Sequence, residues 1–144
     1  MITYTNIFKS VLDAFTALIR GEWTTLPIHY DAELQAREPQ FINIDLVGDD
    51  FNEQFAGGQT RTYTFNVSYL RRIGGDYQKH THIDSLSEWS ERFKRLIINN
   101  TAYESGGAYK WHDGTVESIE YIQDTIEGYS QVDLTITLTT TEVH

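Results

Sequence analysis

Cysteine is absent from the chain. Disulfides, thiol nucleophiles and thiolate metal sites are therefore excluded. Basic residues are scarce: 11 Lys and Arg stand against 21 Asp and Glu, for a formal charge of −10. The bases are scattered apart from Arg71-Arg72 and the trio Arg92, Lys94, Arg95, whereas duplex binding by phosphate neutralisation needs a concentrated basic face. Sequence-specific nucleic-acid binding is not expected; the acidic surface favours solubility or docking to a basic partner. No apolar run approaches the roughly 20 residues of a membrane span. The start, Met1 to Asn6, lacks the basic and apolar regions of a signal peptide.

What is present is ordinary globular material. The 144 residues suit one domain, 1–144, with one core, and 40% of them are hydrophobic. Aromatics reach 13%, with nine tyrosines, and tyrosine suits half-buried sheets and protein interfaces.

Periodicity predicts a first helix from about Asn6 to Arg20, with Phe8, Val11, Phe15, Leu18 and Ile19 on one face. Thr5 or Asn6 caps its start and Gly21 suits its end. Leu26 to Tyr30 reads as a short strand. Phe41 to Val47 alternates as a second, and Thr60 to Arg71 as a third with Tyr63, Phe65, Val67 and Tyr69 on one face. Gly48 to Gln59, with Asp49-Asp50 and Gly57-Gly58, reads as a long mobile connection of an antiparallel hairpin. Ser85-Leu86-Ser87-Glu88 has the form of a capping box, which starts a second helix near Ser85. Glu91 and Arg95 stand four apart on it as a supporting pair. Gly114 to Gln123 is a strand of ambiguous facing. Ser130 to Thr140 alternates cleanly, after a turn at Gly128. The expected fold is α+β: a mainly antiparallel sheet with two helices packed on one face, in the order αβββαββ. The other face, rich in Thr, Ser, Asn and Asp, would meet water or another subunit.

Signatures of chemistry are weak. His80-Thr81-His82, with Asp76 and Asp84 nearby, would put two imidazoles on one side of an extended segment, within reach of one metal ion. An exposed polar loop explains the same residues. His29, His112 and His144 are isolated, and adjacent residues such as His112-Asp113 point apart on a strand. Gly-x-Ser-x-Gly, the phosphate-loop pattern and an EF-hand loop are all missing. No catalytic residue, metal or cofactor is expected.

Phe51 and Phe55 are the unusual feature. Large apolar residues in a glycine- and acid-rich stretch are costly to leave wet. They either fold back onto their own sheet or anchor contact with a neighbouring subunit. Tyr103, Tyr109, Trp111 and Tyr129 pose the same question.

The arrangement resembles a family. A leading helix, the short strand Leu26 to Tyr30, Phe41-Ile42-Asn43-Ile44, a long connection, the strand Tyr63 to Tyr69, a helix at Ser85 and two closing strands are similar to the tail terminator (tail completion) proteins of long-tailed bacteriophages. The resemblance covers nearly the whole chain, in element order and texture. It implies a non-enzymatic virion protein made in the host cytoplasm. It further implies a homo-oligomeric ring, commonly a hexamer, that caps the head-proximal end of the tail tube, ends its polymerisation and joins it to the head connector. Partners would be the tail tube protein and the head connector protein. Another head–tail joining or minor tail component, and a small metal-dependent enzyme using His80 and His82, are the alternatives. Interface candidates are Phe51, Phe55 and Tyr129.

Overall fold

A computed structural model of the chain describes residues 1–30, 35, 38–73, 79–105, 108–123 and 128–143. Two helices, α1 (Ile7–Glu22) and α2 (Lys79–Asn99), lie on one face of a five-stranded sheet. The strands are β1 (Ile28–His29), β2 (Gln40–Phe55), β3 (Gly58–Arg72), β6 (Asp113–Gln123) and β7 (Tyr129–Val143), in spatial order β1-β2-β3-β7-β6. Every pairing is antiparallel except β1 with β2. The expected α+β class and the αβββαββ order hold. A small addition is the two-stranded hairpin of β4 (Tyr103–Ser105) and β5 (Ala108–Trp111) between α2 and β6.

The core follows the sequence periodicities. From β3 come Tyr63, Phe65, Val67 and Tyr69, and from β7 Val132, Leu134, Ile136 and Leu138, all buried on one face. Val11, Phe15 and Ile19 of α1 and Leu86, Trp89, Phe93 and Ile97 of α2 pack onto them. Phe93 is the hub, with ring centroids 5.1 Å from Trp89, 5.8 Å from Trp23 and 6.3 Å from Phe15. Trp111 of β5 closes the opposite end. It is fully buried, stacks on Tyr103 at 4.7 Å and donates its indole N–H to the Asn100 carbonyl at 2.9 Å.

Several local expectations change. Asn6 is the N-cap, its Oδ1 accepting from the Lys9 N–H at 3.1 Å. Gly21 lies inside the last turn, and Trp23 is the C-cap. α2 begins six residues before Ser85, so Ser85-Glu88 caps nothing; the Ser85 hydroxyl instead accepts from Arg71 on β3. Interior serines are free to make such tertiary bonds, and here that bond ties helix to sheet. Glu91 pairs with Lys94 at 2.7 Å rather than with Arg95. The ambiguous facing of β6 has a cause: a bulge between Val116 and Ser118 switches the alternation midway.

The largest change concerns Gly48 to Gln59. It is no loose connection. β2 continues through it to Phe55, turns at Ala56-Gly57, where Gly57 has φ 93°, and returns as β3. Residues 58–63 of β3 pair on their other side with 138–143 of β7. The result is a three-stranded arm that continues the sheet past its helices.

Candidate assembly surface

The arm is built on paired backbone, and β2 supplies its outer strand. Two bulges, at Leu46/Gly48 and Phe51/Glu53, bend and twist that strand within a few residues. They also set which way its side chains point. Phe51 lies opposite Arg61, so it shares the helix-bearing face with Tyr63 and Phe65. After the second bulge the alternation reverses: Phe55 lies opposite Gly58 and falls on the other face. Phe51 is 57% and Phe55 47% exposed, and Leu46 and Val47 nearby are exposed as well.

A charged cluster braces the arm. The Arg61 guanidinium is held by Asp49 and lies 3.3 Å from Glu142, which also accepts from Gln59 at 2.7 Å. It sits over two rings, 5.1 Å from Phe51 and 5.0 Å from Tyr63. The Asp49 hydrogen bond first, and the neighbouring acids with it, hold Arg61 above its ordinary pKa. One basic side chain thus cross-links three strands and orients Phe51.

Beneath Arg61, the Tyr63 hydroxyl is buried and finds no hydrogen-bond partner. Tyr69, six residues on, donates its own to Gln40 Oε1 at 2.8 Å. Burial pushes the Tyr63 phenol from 10.0 up to about 12, against an opposing effect of Arg61. The neutral phenol is the form that the fold accepts. Its contribution is therefore complete below pH 10 and is lost as pH climbs from 10 towards about 12. Chemical unfolding at stepped pH should show stability falling across that window. Tyr63→Phe should flatten part of the fall and add about 1–3 kcal/mol at neutral pH, the desolvation penalty of an unpartnered polar group.

Tyr129, expected at an interface, is only 5% exposed. It joins Phe41 and Leu70 in a small second cluster on the face away from the helices. Its hydroxyl donates to the Glu38 carbonyl at 3.0 Å and accepts from Arg72 at 3.2 Å. Ring and hydroxyl are both spent internally, which leaves Tyr129 no face for a partner. Tyr103 and Trp111 are likewise core aromatics; the side chain of Tyr109 lies outside the described residues.

His80 and His82 lie within α2, so the extended segment expected to carry them does not arise. Their side chains, Asp76 and His144 lie outside the described residues. His29 meets Glu38 at 2.9 Å, and His112 meets Thr141 at 3.0 Å, far from one another along the sheet. Among the described residues no group of three His, Asp or Glu side chains could hold a metal ion, and no helix is long and apolar enough to cross a membrane.

The remaining surface of note is a groove of about 470 Å³ between α2 and β6, lined by Ile97, Ile98, Val116 and Ile119 with Lys94 and Glu117 among the polar residues. It lies at the sheet edge opposite the arm.

Among solved structures the fold has counterparts. One superposes with a TM-score of 0.54 at 12% identity, covering 99% of this chain and 97% of its own. That likeness shows the fold alone. No family profile and no curated protein matches the chain.

Proposed function

We propose that this protein is a bacteriophage tail terminator: a structural, non-enzymatic subunit that assembles into a ring. The ring caps the head-proximal end of the tail tube, stops its growth and presents a surface to the head connector. One observation carries the reading. The sheet extends into a braced, three-stranded arm that exposes two phenylalanines to solvent. Isolated monomers seldom hold large aromatics on a stiff projecting edge, and such a feature suits contact with a neighbour. The α+β fold in the order expected from the resemblance agrees with it. Proposed partners are further copies of this chain, probed first as a hexamer, together with the tail tube and head connector proteins.

Light scattering on the purified protein tests this directly. A discrete oligomer of about six subunits is expected, visible as rings by negative-stain microscopy. Mixed with polymerising tail tube protein, it should shorten the tubes. A strict monomer that leaves tube length unchanged would sink the proposal. Elemental analysis covers the enzyme alternative: a stoichiometric transition metal lost on replacing His80 and His82 by Ala would favour it.

A further inference from the structure

Among the described residues, neither edge of the five-stranded sheet is covered along its length. β1 covers β2 only at Ile42 and Asn43, so among the described residues β2 carries no strand on its outer side from Ile44 to Phe55. Among the described residues β6 carries none on its outer side either. Open edges invite pairing with another chain unless something blocks them. These two edges differ in character. The β2 edge runs out along the arm: residues 48–55, at about 3.3 Å each, reach up to roughly 25 Å. The β6 edge borders the groove that α2 and β6 line with Ile97, Ile98, Val116 and Ile119.

The facing of the side chains matches them. Leu46 lies opposite Phe65 and Phe51 opposite Arg61, so both project on the helix-bearing side of the β2 edge. The groove lies on that same side of β6, since Val116 and Ile119 pack against the helix-side core. Laying β2 of one copy beside β6 of the next therefore carries Leu46 and Phe51 under the second copy's α2 with no inversion of the sheet. The exposed acids of the arm do not go with them: Asp50 and Glu53 lie opposite Thr62 and Thr60, and so on the face away from the helices.

We infer that the outer edge of the arm, with Phe51 as its anchor and Leu46 beside it, docks into the α2–β6 groove of a second copy of this chain. The contact joins two different surfaces, so it is heterologous: each copy gives one arm and receives one, and repetition closes a ring if the rotation closes. This assignment rests on the assembly reading above, and it adds which surfaces meet. Phe55, on the opposite face at the tip, takes no part in the groove.

The absence of cysteine makes the test clean. Gln54, opposite Gln59 and so on the anchor's face, and Asn99 beside Ile98 are both exposed, so Gln54→Cys and Asn99→Cys leave the apolar contacts in place. A short bismaleimide should leave either variant alone uncoupled. An equimolar mixture of the two should give cross-linked dimers and nothing larger. The double variant should give a ladder ending at the size of the closed ring. Phe51→Asp added to the double variant should cut the ladder at least tenfold while its far-ultraviolet circular dichroism stays unchanged. If Gln54→Cys alone dimerises, the contact is isologous and the inference is overturned. If the protein sediments as an oligomer yet the mixture does not cross-link, the faces are wrongly assigned and the assembly reading stands. If it sediments as a monomer and nothing cross-links, the inference fails, and with tube length also unchanged the assembly reading fails with it.

Discussion

Phe93→Ala should cost about 3–5 kcal/mol of folding stability, the range for truncating a large buried aromatic. Phe93 is fully buried and lies between the rings of Phe15, Trp23 and Trp89. Those partners come from both helices and the segment that follows α1. The hole could close only if α1 and α2 moved together, and each is already seated on β3 and β7 through its own apolar stripe. The cavity should therefore stay largely open, and the cost should fall at the upper end of the range. Urea unfolding followed by fluorescence measures it; a loss below about 1 kcal/mol would show that the helices are more loosely held than their packing implies.

Gly58→Ala should have the next largest effect. Gly58 pairs with Phe55 on one side and Val143 on the other, at the root of the arm's turn. A Cβ there would press into the Glu142 carbonyl oxygen and come within 2.8 Å of the Phe55 ring. The ring can swing away, but the carbonyl is main chain in a paired strand and cannot. Relief requires β7 to separate from β3 near its end, which also loosens the Glu142 contacts with Arg61 and Gln59. Overpacking of this kind costs about 1–3 kcal/mol. It should appear as faster amide exchange confined to residues 58–61 and 140–143, with the helix-side core still protected. Gly57→Ala, where no atom crowds the new Cβ but φ is 93°, should instead pay only for backbone strain.

Where alternation was strong, the sequence could be read directly. Tyr63 to Tyr69 and Val132 to Leu138 carry an unbroken period of two, and their register follows from it. The helix-side core and the αβββαββ order were legible for that reason. The arm was not. Gly48, Asp49, Asp50, Gly57 and Gly58 have poor strand propensity, and local signals there spell a loop. What makes them a strand is non-local: pairing with β3, which itself is pinned by β7, a segment about 80 residues away in sequence. The same distance hid the Arg61, Asp49 and Glu142 cluster. Phe51 and Phe55 were visible as an anomaly, but the bulge between them that sends them to opposite faces leaves no trace in a binary pattern. Tyr129 misled in the opposite sense. Beside Gly128 it looked like a turn residue, whereas Phe41 and Leu70 wait for it across the sheet. The Ser85 capping signature was also a local form overruled by a longer helix.

The placement of the three tryptophans has an optical consequence. Trp23, Trp89 and Trp111 are all buried around the helix-side core, and the arm contains none. Trp23 and Trp89 lie with ring centroids 5.4 Å apart, close enough for their excited states to interact. Intrinsic emission should therefore be blue-shifted in the native protein and move to the red only when the core opens. It should stay nearly silent when the arm finds or loses a neighbour. The chain thus reports its folding in its own colour and leaves its association to be read by mass, so each can be followed in one cuvette without a label.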